Sequence, residues 1–285
     1  MLMKALSLFF GLALAAFVFN VSAQVNVDVS MDQQQFLPGE SVPVTIHITN
    51  HSGQTLHLGA NAGWLAFFVE ADDGFSVNKK SEPDVIEPFD LGSSEMAIKR
   101  VDLAPYFTLN RVGHFKVTAT VHIQDWNSDI TSAPQSFDLI QGAELWSQIF
   151  GVPNSSITNA PPRVRKYTLL EANYLRDELK LYVQVADQSA KGFVKVRAIG
   201  PMISFSQPQA VLDAASNLHV LNQDGATAFK YTIIDPDGDI TEQDVYDYVN
   251  TRPRLHQDDS GAISVLGGIR RVEMPLVKSP TEVSQ

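Results

Sequence analysis

The sequence has 285 residues, with 21 Lys and Arg against 32 Asp and Glu, a formal net charge of −11 at pH 7 and no cysteine. An acidic surface repels nucleic acid and anionic lipid, so we expect neither as a partner. The lack of cysteine excludes thiol catalysis, thiolate zinc sites, iron–sulfur clusters and disulfides. Stability must therefore come from packing.

Residues 1–23 have the pattern of a secretory signal peptide. Lys4 precedes an apolar run from Ala5 to Phe19, and Val21 to Ala23 supplies the small residues that a signal peptidase requires. The apolar run is shorter than the roughly 20 residues that a membrane-spanning helix needs. We predict an exported protein, periplasmic or extracellular, that begins near Gln24, with an N-terminal membrane anchor as the alternative. No later run is apolar enough to span a membrane.

The first half of the mature chain, residues 24–150, alternates apolar and polar residues in short segments separated by turns. A period of two is typical of a strand with one buried face. About seven such strands predict an all-β, immunoglobulin-like sandwich. The segments are Val25–Met31, Val42–Thr49, Leu56–Leu58, Trp64–Ala71, Met96–Leu103, Gly113–Ile123 and Ser136–Ile140.

Two stretches resemble bacterial Ig-like modules of the adhesion and proteinase-inhibitor-like kinds. The first is FLPGESVPVTIHITNHSG, from Phe36 to Gly53, and the second is GHFKVTATV, from Gly113 to Val121. In such modules an F-x-P-G-E turn leads into a strand that ends in Asn, and a G-x-[YF]-x-V-x-A strand comes late. The resemblance covers 25–140 and implies a fold more than a role. Phe115 stands where such modules often carry Tyr, so the resemblance implies that a tyrosine-corner hydrogen bond is lost.

We predict a linker at 151–162, where Pro, Asn and Ser are frequent, and a second β domain at 163–272. Within that domain, Lys180–Gln188 resembles Asn217–Asp224, and the pattern resembles the repeats of propeller blades. The segment is too short for the four or more blades of a closed propeller. We therefore predict two or three blade-like antiparallel units, with coincidental similarity as the alternative, and closure through an oligomer stays open.

Three further segments are ambiguous. Trp146, Ile149 and Phe150 are expected to pack against a domain, with a protein-recognition segment as the alternative. From Leu169 to Leu179 a helix competes with a strand. Residues 273–285 are predicted to form a disordered tail.

Three aspartates alternate in DPDGD, at Asp235, Asp237 and Asp239. Such spacing can direct several carboxylates onto one calcium ion. An EF-hand loop, however, needs Gly at its sixth position and Glu at its twelfth, where this chain has Ile240 and Tyr246. Asp-Pro-Asp-Gly is also a strong β-turn sequence. We therefore favour a turn and keep structural calcium at the three aspartates as the alternative; no other cofactor is expected.

The sequence contains none of the common local catalytic motifs: no G-x-S-x-G, no H-E-x-x-H and no phosphate-binding loop. His219 alternates with Leu218 and Val220, and a packing or hydrogen-bonding role is expected for it. Four other histidines lie on the outward register of predicted strands and would bind zinc or copper only if neighbouring strands brought them together. They are His47, His57, His114 and His122. We assign no catalytic, cofactor-binding or metal-binding residue.

These patterns predict a non-catalytic exported protein that binds another protein or a glycan outside the cytoplasm. One alternative is an inhibitor or accessory subunit of an exported enzyme, which an exposed apolar loop would favour. A second is a hydrolase with a non-local active site, which a deep pocket with converging acids would favour.

Overall fold

The structure, a computed structural model, describes residues 25–72, 74–152, 163–175, 178–188 and 192–272. Over these residues the chain is all-β, as predicted, and the one helical segment is a single 3-10 turn at Gln124–Trp126. Among them no helix is long and apolar enough to cross a membrane. The predicted signal peptide, the tail at 273–285 and nearly all of the predicted linker lie outside the described residues.

The first domain is a sandwich of two main sheets. One has the strand order β1-β3-β7 and the other β2-β10-β8-β5, with β9 also paired to β8 and a small β4-β6 pair beside them. The pairs are antiparallel except β2 with β10. The strands are β1 Val25–Ser30, β2 Gln35–Phe36, β3 Pro43–Asn50, β4 Leu56–Leu58, β5 Leu65–Ala71, β6 Phe89–Leu91, β7 Met96–Asp102, β8 Gly113–Ile123, β9 Ser128–Thr131 and β10 Gln135–Leu139.

Alternation along these strands builds the core of the first domain. On β8 the alternate residues from Phe115 to Ile123 are buried, and they meet buried residues of β1 and β3 from the facing sheet. Phe115 stacks on Phe137 of the neighbouring strand β10, with ring centroids 5.5 Å apart. The prediction of an Ig-like sandwich is confirmed.

The second domain consists of two antiparallel meanders. The first has the strand order β11-β12-β13-β14 and the second β15-β16-β17-β18-β21, with a β19-β20 hairpin beside them. Two consecutive antiparallel units agree with the predicted fold class. The strands are β11 Ala143–Gly151, β12 Val164–Tyr174, β13 Glu178–Asp187, β14 Gly192–Pro201, β15 Gln209–Leu212, β16 Leu218–Gln223, β17 Ala228–Ile234, β18 Ile240–Asp247, β19 Arg254–Gln257, β20 Ile263–Leu266 and β21 Ile269–Arg270.

The two meanders share one apolar core. Leu169 and Val183 of the first sheet belong to the same buried cluster as Leu218, Val220 and Ile234 of the second. The second domain is therefore also a two-layer sandwich rather than a row of separate blades.

The structure corrects one domain boundary predicted from the sequence and decides one alternative that the sequence left open. Ala143–Gly151 pairs with β12, so the segment that holds Trp146 and Phe150 belongs to the second domain, not to the first. Phe150 stacks on Tyr167 with ring centroids 4.2 Å apart, which anchors it there. Between Leu169 and Leu179 the described residues favour the strand alternative. Residues up to Tyr174 lie in β12, which has hydrogen-bonding partners on both sides in β11 and β13, and Glu178 begins β13.

The Phe36–Glu40 turn, which the sequence identifies only as a bend, joins the two domains. Leu37 is buried in a cluster with Ala172, Tyr182 and Val196 of the second domain. Glu40 forms an isolated parallel bridge with Val196. We call this turn and its contacts the interdomain clasp.

Hydrogen bonds flank the interdomain clasp. The Leu175 backbone N–H donates to the Gln35 side-chain oxygen at 2.6 Å, and the Gln34 N–H donates to the Tyr174 hydroxyl at 3.4 Å. The β12–β13 end of the second domain is therefore held against the strand that leads into the clasp.

Leu37→Ala tests the clasp. Removal of a buried leucine side chain typically costs about 2–5 kcal/mol of unfolding free energy. Since the loss falls between the domains, we expect the two sandwiches to unfold as separate calorimetric transitions. The matched control is Ile98→Ala, at an exposed site on β7, which should leave the thermogram unchanged. A single unshifted transition in Leu37→Ala would show that the clasp does not couple the domains.

Candidate functional site

The three aspartates form the turn between β17 and β18. The Asp235 carboxylate accepts hydrogen bonds from the backbone N–H of Asp237 at 3.0 Å and of Asp239 at 2.8 Å. The Gly238 N–H donates to the Asp235 carbonyl at 2.9 Å, and Gly238 has a φ of 86°. A side chain there would also collide with Lys195, so glycine is required on both counts.

Cations of the opposite sheet hold the other two carboxylates. Asp237 pairs at 2.6 Å with Arg165 of β12, which is buried, and Asp239 pairs at 2.6 Å with Lys195 of β14 and at 3.3 Å with Arg197. The Lys195 hydrogen bond lowers the pKa of Asp239. The acidic turn thus fastens one sheet of the second sandwich to the other.

The outward histidines are separated from one another, each with its own acceptor. Cross-strand pairs join His57 to Asp90 at 2.6 Å, His114 to Asp138 at 2.5 Å and His122 to Asp129 at 2.7 Å, and His47 lies 3.2 Å from the Ser30 hydroxyl. The aspartate hydrogen bonds raise the pKa of His57 and of His114. In the described part of the chain no three His, Asp or Glu side chains are grouped so as to hold a metal ion.

His219 lies buried between two hydrogen-bonding partners. Its Nδ1 is 2.6 Å from the Tyr231 hydroxyl and its Nε2 is 3.3 Å from Asp213. Burial raises the pKa of Tyr231 to about 12, so this hydroxyl keeps its proton. The geometry agrees with the hydrogen-bonded role expected for His219.

A cleft of about 1350 Å³ lies between the domains, beside the interdomain clasp. Two carboxylates that line this cleft, those of Asp102 and Glu40, accept backbone hydrogen bonds. Asp102 accepts from the N–H of Val42 at 2.7 Å and of Ala104 at 3.0 Å, and Glu40 accepts from the N–H of Leu37 at 2.8 Å. Both carboxylates stabilise the backbone of their own loops. They therefore give no support to the hydrolase alternative.

Loops at one end of the second sandwich expose apolar side chains. The Ile203 N–H of the 202–208 loop donates at 3.0 Å to the carbonyl of Gln223, the last residue of β16 before the 224–227 turn. The backbone N–H of Tyr248, which begins the 248–253 loop, donates to the Thr227 carbonyl at 2.7 Å. We call the exposed apolar side chains of these loops the apolar loop end. They are Ile203, Phe205, Tyr248 and Val249.

Phe205 is the most exposed large apolar side chain of the described residues, with a relative exposure of 103%. It occupies the third position of a β-turn that the Ser206 N–H closes on the Ile203 carbonyl at 3.1 Å. Its φ of 65° lies in the left-handed region, which glycine and asparagine adopt readily and a bulky side chain does not. The chain therefore presents this ring to solvent in a strained backbone conformation.

Sequence reasoning missed this loop as a candidate site. The only signal is an isolated aromatic residue, between Ser204 and Ser206, in a loop bounded by Pro201 and Pro208. Neither its exposure nor its positive φ can be read from residue order.

Residues 22–58 match a family model described as the C-terminal domain of arrestin (or S-antigen). Arrestin domains of this kind are β-sandwiches, which agrees with the first domain. The matched segment contains β1, the Phe36–Glu40 turn and β3, so the similarity covers the part of the chain that forms the interdomain clasp.

A search of solved structures returns the crystal structure of Spo0M, a sporulation control protein from Bacillus subtilis. It is 11% identical, with a TM-score of 0.29, and the alignment covers 62% of this chain and 91% of that chain. A likeness of this size supports no inference about function. The comparison with curated proteins gives no match.

The acidic turn can be tested with calcium. Because Asp235 accepts two backbone N–H groups and Asp237 and Asp239 face cations, we expect millimolar calcium to leave the melting temperature unchanged. Magnesium at equal ionic strength is the control for screening of the ion pairs. A rise specific to calcium, lost in Asp239→Asn, would instead establish a structural calcium site.

Proposed function

We propose that this protein is a non-catalytic exported binding module that docks on a partner protein through its apolar loop end. The observation that carries the proposal is Phe205, which combines full exposure with a left-handed backbone conformation. Export is supported by the signal-peptide pattern of residues 1–23.

Both properties of Phe205 cost free energy in the isolated chain. A left-handed conformation costs an L-residue roughly 1–2 kcal/mol, and a solvated ring gains nothing from burial. Transfer of such a ring into a partner's pocket returns about 1.5–3 kcal/mol. Strained residues of this kind cluster at ligand-binding sites, and aromatic anchors dominate the energetics of many protein interfaces.

The shape and chemistry of the loop end favour a protein partner over a glycan or a lipid surface. Phe205 protrudes, with Ile203 and Val249 as further apolar residues of the same loops, and these three side chains offer no hydrogen bonds to sugar hydroxyls. Of the four side chains of the apolar loop end, only Tyr248 carries a hydroxyl. The net charge of −11 opposes approach to anionic membranes. A concave apolar pocket on a protein fits this convex tip.

An inhibitor or accessory subunit of an exported enzyme is the second candidate. The same observation favours it, because a protruding apolar loop can enter an enzyme cleft. A panel of exported proteases assayed with the mature protein distinguishes this candidate, since inhibition should depend on Phe205.

Phe205→Gly separates binding from folding. Glycine adopts the positive φ without strain, so we expect an equal or higher melting temperature. In affinity capture from the envelope fraction of the native cell, the specific partner should be lost, and its measured Kd should weaken at least about tenfold.

The control for that experiment is Ile98→Ala, which removes an exposed apolar side chain from β7 of the other domain and should retain the partner. Equal capture by wild type and Phe205→Gly would overturn the proposal. Phe205-dependent binding to neutral phosphatidylcholine vesicles, without a protein partner, would also overturn it and identify a lipid surface instead.

A further inference from the structure

We propose that Glu40 is a proton-controlled latch between the two sandwiches, which holds the interdomain clasp closed while its carboxyl is protonated and loosens it on ionisation. This inference stands on the clasp and is independent of the binding role assigned to Phe205. Loosening of the interdomain clasp widens the cleft between the two domains.

The position of Glu40 provides the first argument. Its side chain is buried at the edge of the cleft, and its backbone bridges Val196 of the other domain. One carboxyl oxygen accepts from the Leu37 N–H at 2.8 Å and the other accepts from the Gln33 side-chain amide at 3.3 Å. The carboxyl thus shapes the turn that inserts Leu37 into the second domain.

The second argument is that little positive charge lies near the Glu40 carboxylate to stabilise its ionised form. The Lys180 ammonium of β13 attracts the carboxylate, but it lies 3.7 Å from the Tyr174 ring centroid and 3.6 Å from Glu178, which already engage it. Tyr182, on the same strand, stays neutral because burial raises its pKa. No ion pair of Glu40 occurs among the described residues.

Partners other than Glu40 hold further charged groups of the cleft, and on the first domain Asp32 pairs with Arg100 at 3.6 Å. On β14, Lys195 and Arg197 flank Val196 and pair with Asp239. Asp102 and Lys80 bond to the loops of their own domain. The charged residues that line the cleft besides Glu40 are Asp32, Lys80, Asp102, Asp187, Lys195 and Arg197.

Burial raises the pKa of Glu40 to about 7, against an ordinary value of 4.5. The folded protein therefore holds this proton more tightly than the unfolded chain. The resulting stabilisation is complete below about pH 4.5 and is lost as pH rises through about 7. Separation at the clasp gives the ionised carboxylate access to the water of the cleft, without unfolding of either sandwich.

The experiment measures the width of the cleft against pH. The chain has no cysteine, so spin labels can be placed at Asn110→Cys on the first domain and Gln188→Cys on the second, both at exposed positions. Electron–electron double resonance should give one short distance at pH 5.5 and a longer, broader distribution at pH 8.5. The midpoint of this shift is expected near pH 7.

Glu40→Gln keeps a neutral side chain of the same shape and should hold the short distance at both pH values. Asp84→Asn, at an exposed carboxylate of the first domain, should keep the wild-type response. The proposal fails if the wild-type distance is the same at both pH values, or if Glu40→Gln still responds.

A carboxyl-carbon NMR titration of the wild type tests the latch without any substitution, so the result does not depend on how Glu40→Gln folds. A Glu40 midpoint at its ordinary value of 4.5 would overturn the latch.

Discussion

The burial of alternating side chains between paired sheets is the constraint on which this structure depends. Without cysteine, neither sandwich has a disulfide to limit the unfolded chain, so both cores rest on packing and on strand register. A shift of one residue on β8 would turn Phe115, Val117 and Ala119 outward. Apolar burial determines how the strands are arranged, and the cross-strand His–Asp pairs and the acidic turn add local interactions to that arrangement.

Ion pairs of the acidic turn join the two layers of the second domain. Arg165 is buried, and its pairing with Asp237 compensates a charge that would otherwise destabilise the sandwich. Lys195 and Asp239 add a second tie between the sheets. Asp237 and Asp239, two of the three alternating aspartates whose spacing could also suit a calcium ion, thus connect the two sheets through ion pairs.

The features on which our two proposals rest differ from these ion pairs. Phe205 exposes an aromatic ring in a strained turn, and Glu40 buries a carboxyl between the domains. Phe205 lies at the far loops of the second sandwich and Glu40 at the joint between the sandwiches, so the binding and the change of domain spacing that we propose involve separate parts of the molecule. Local violations of otherwise consistent folding rules are typical of functional positions.

The sequence by itself determined the all-β class, seven of the ten strands described in the first domain and the DPDGD turn, because period-two alternation and turn chemistry are local properties. It missed β2, β6 and β9, which are only two to four residues long and too short to show alternation. It failed to place Trp146 and Phe150, since only the pairing of β11 with β12 assigns them to the second domain. Tertiary structure alone decided that Leu37 and Glu40 form an interdomain clasp and that Phe205 stands exposed at positive φ. These depend on which distant surfaces meet and on backbone geometry, and neither is encoded in the local pattern of residue types.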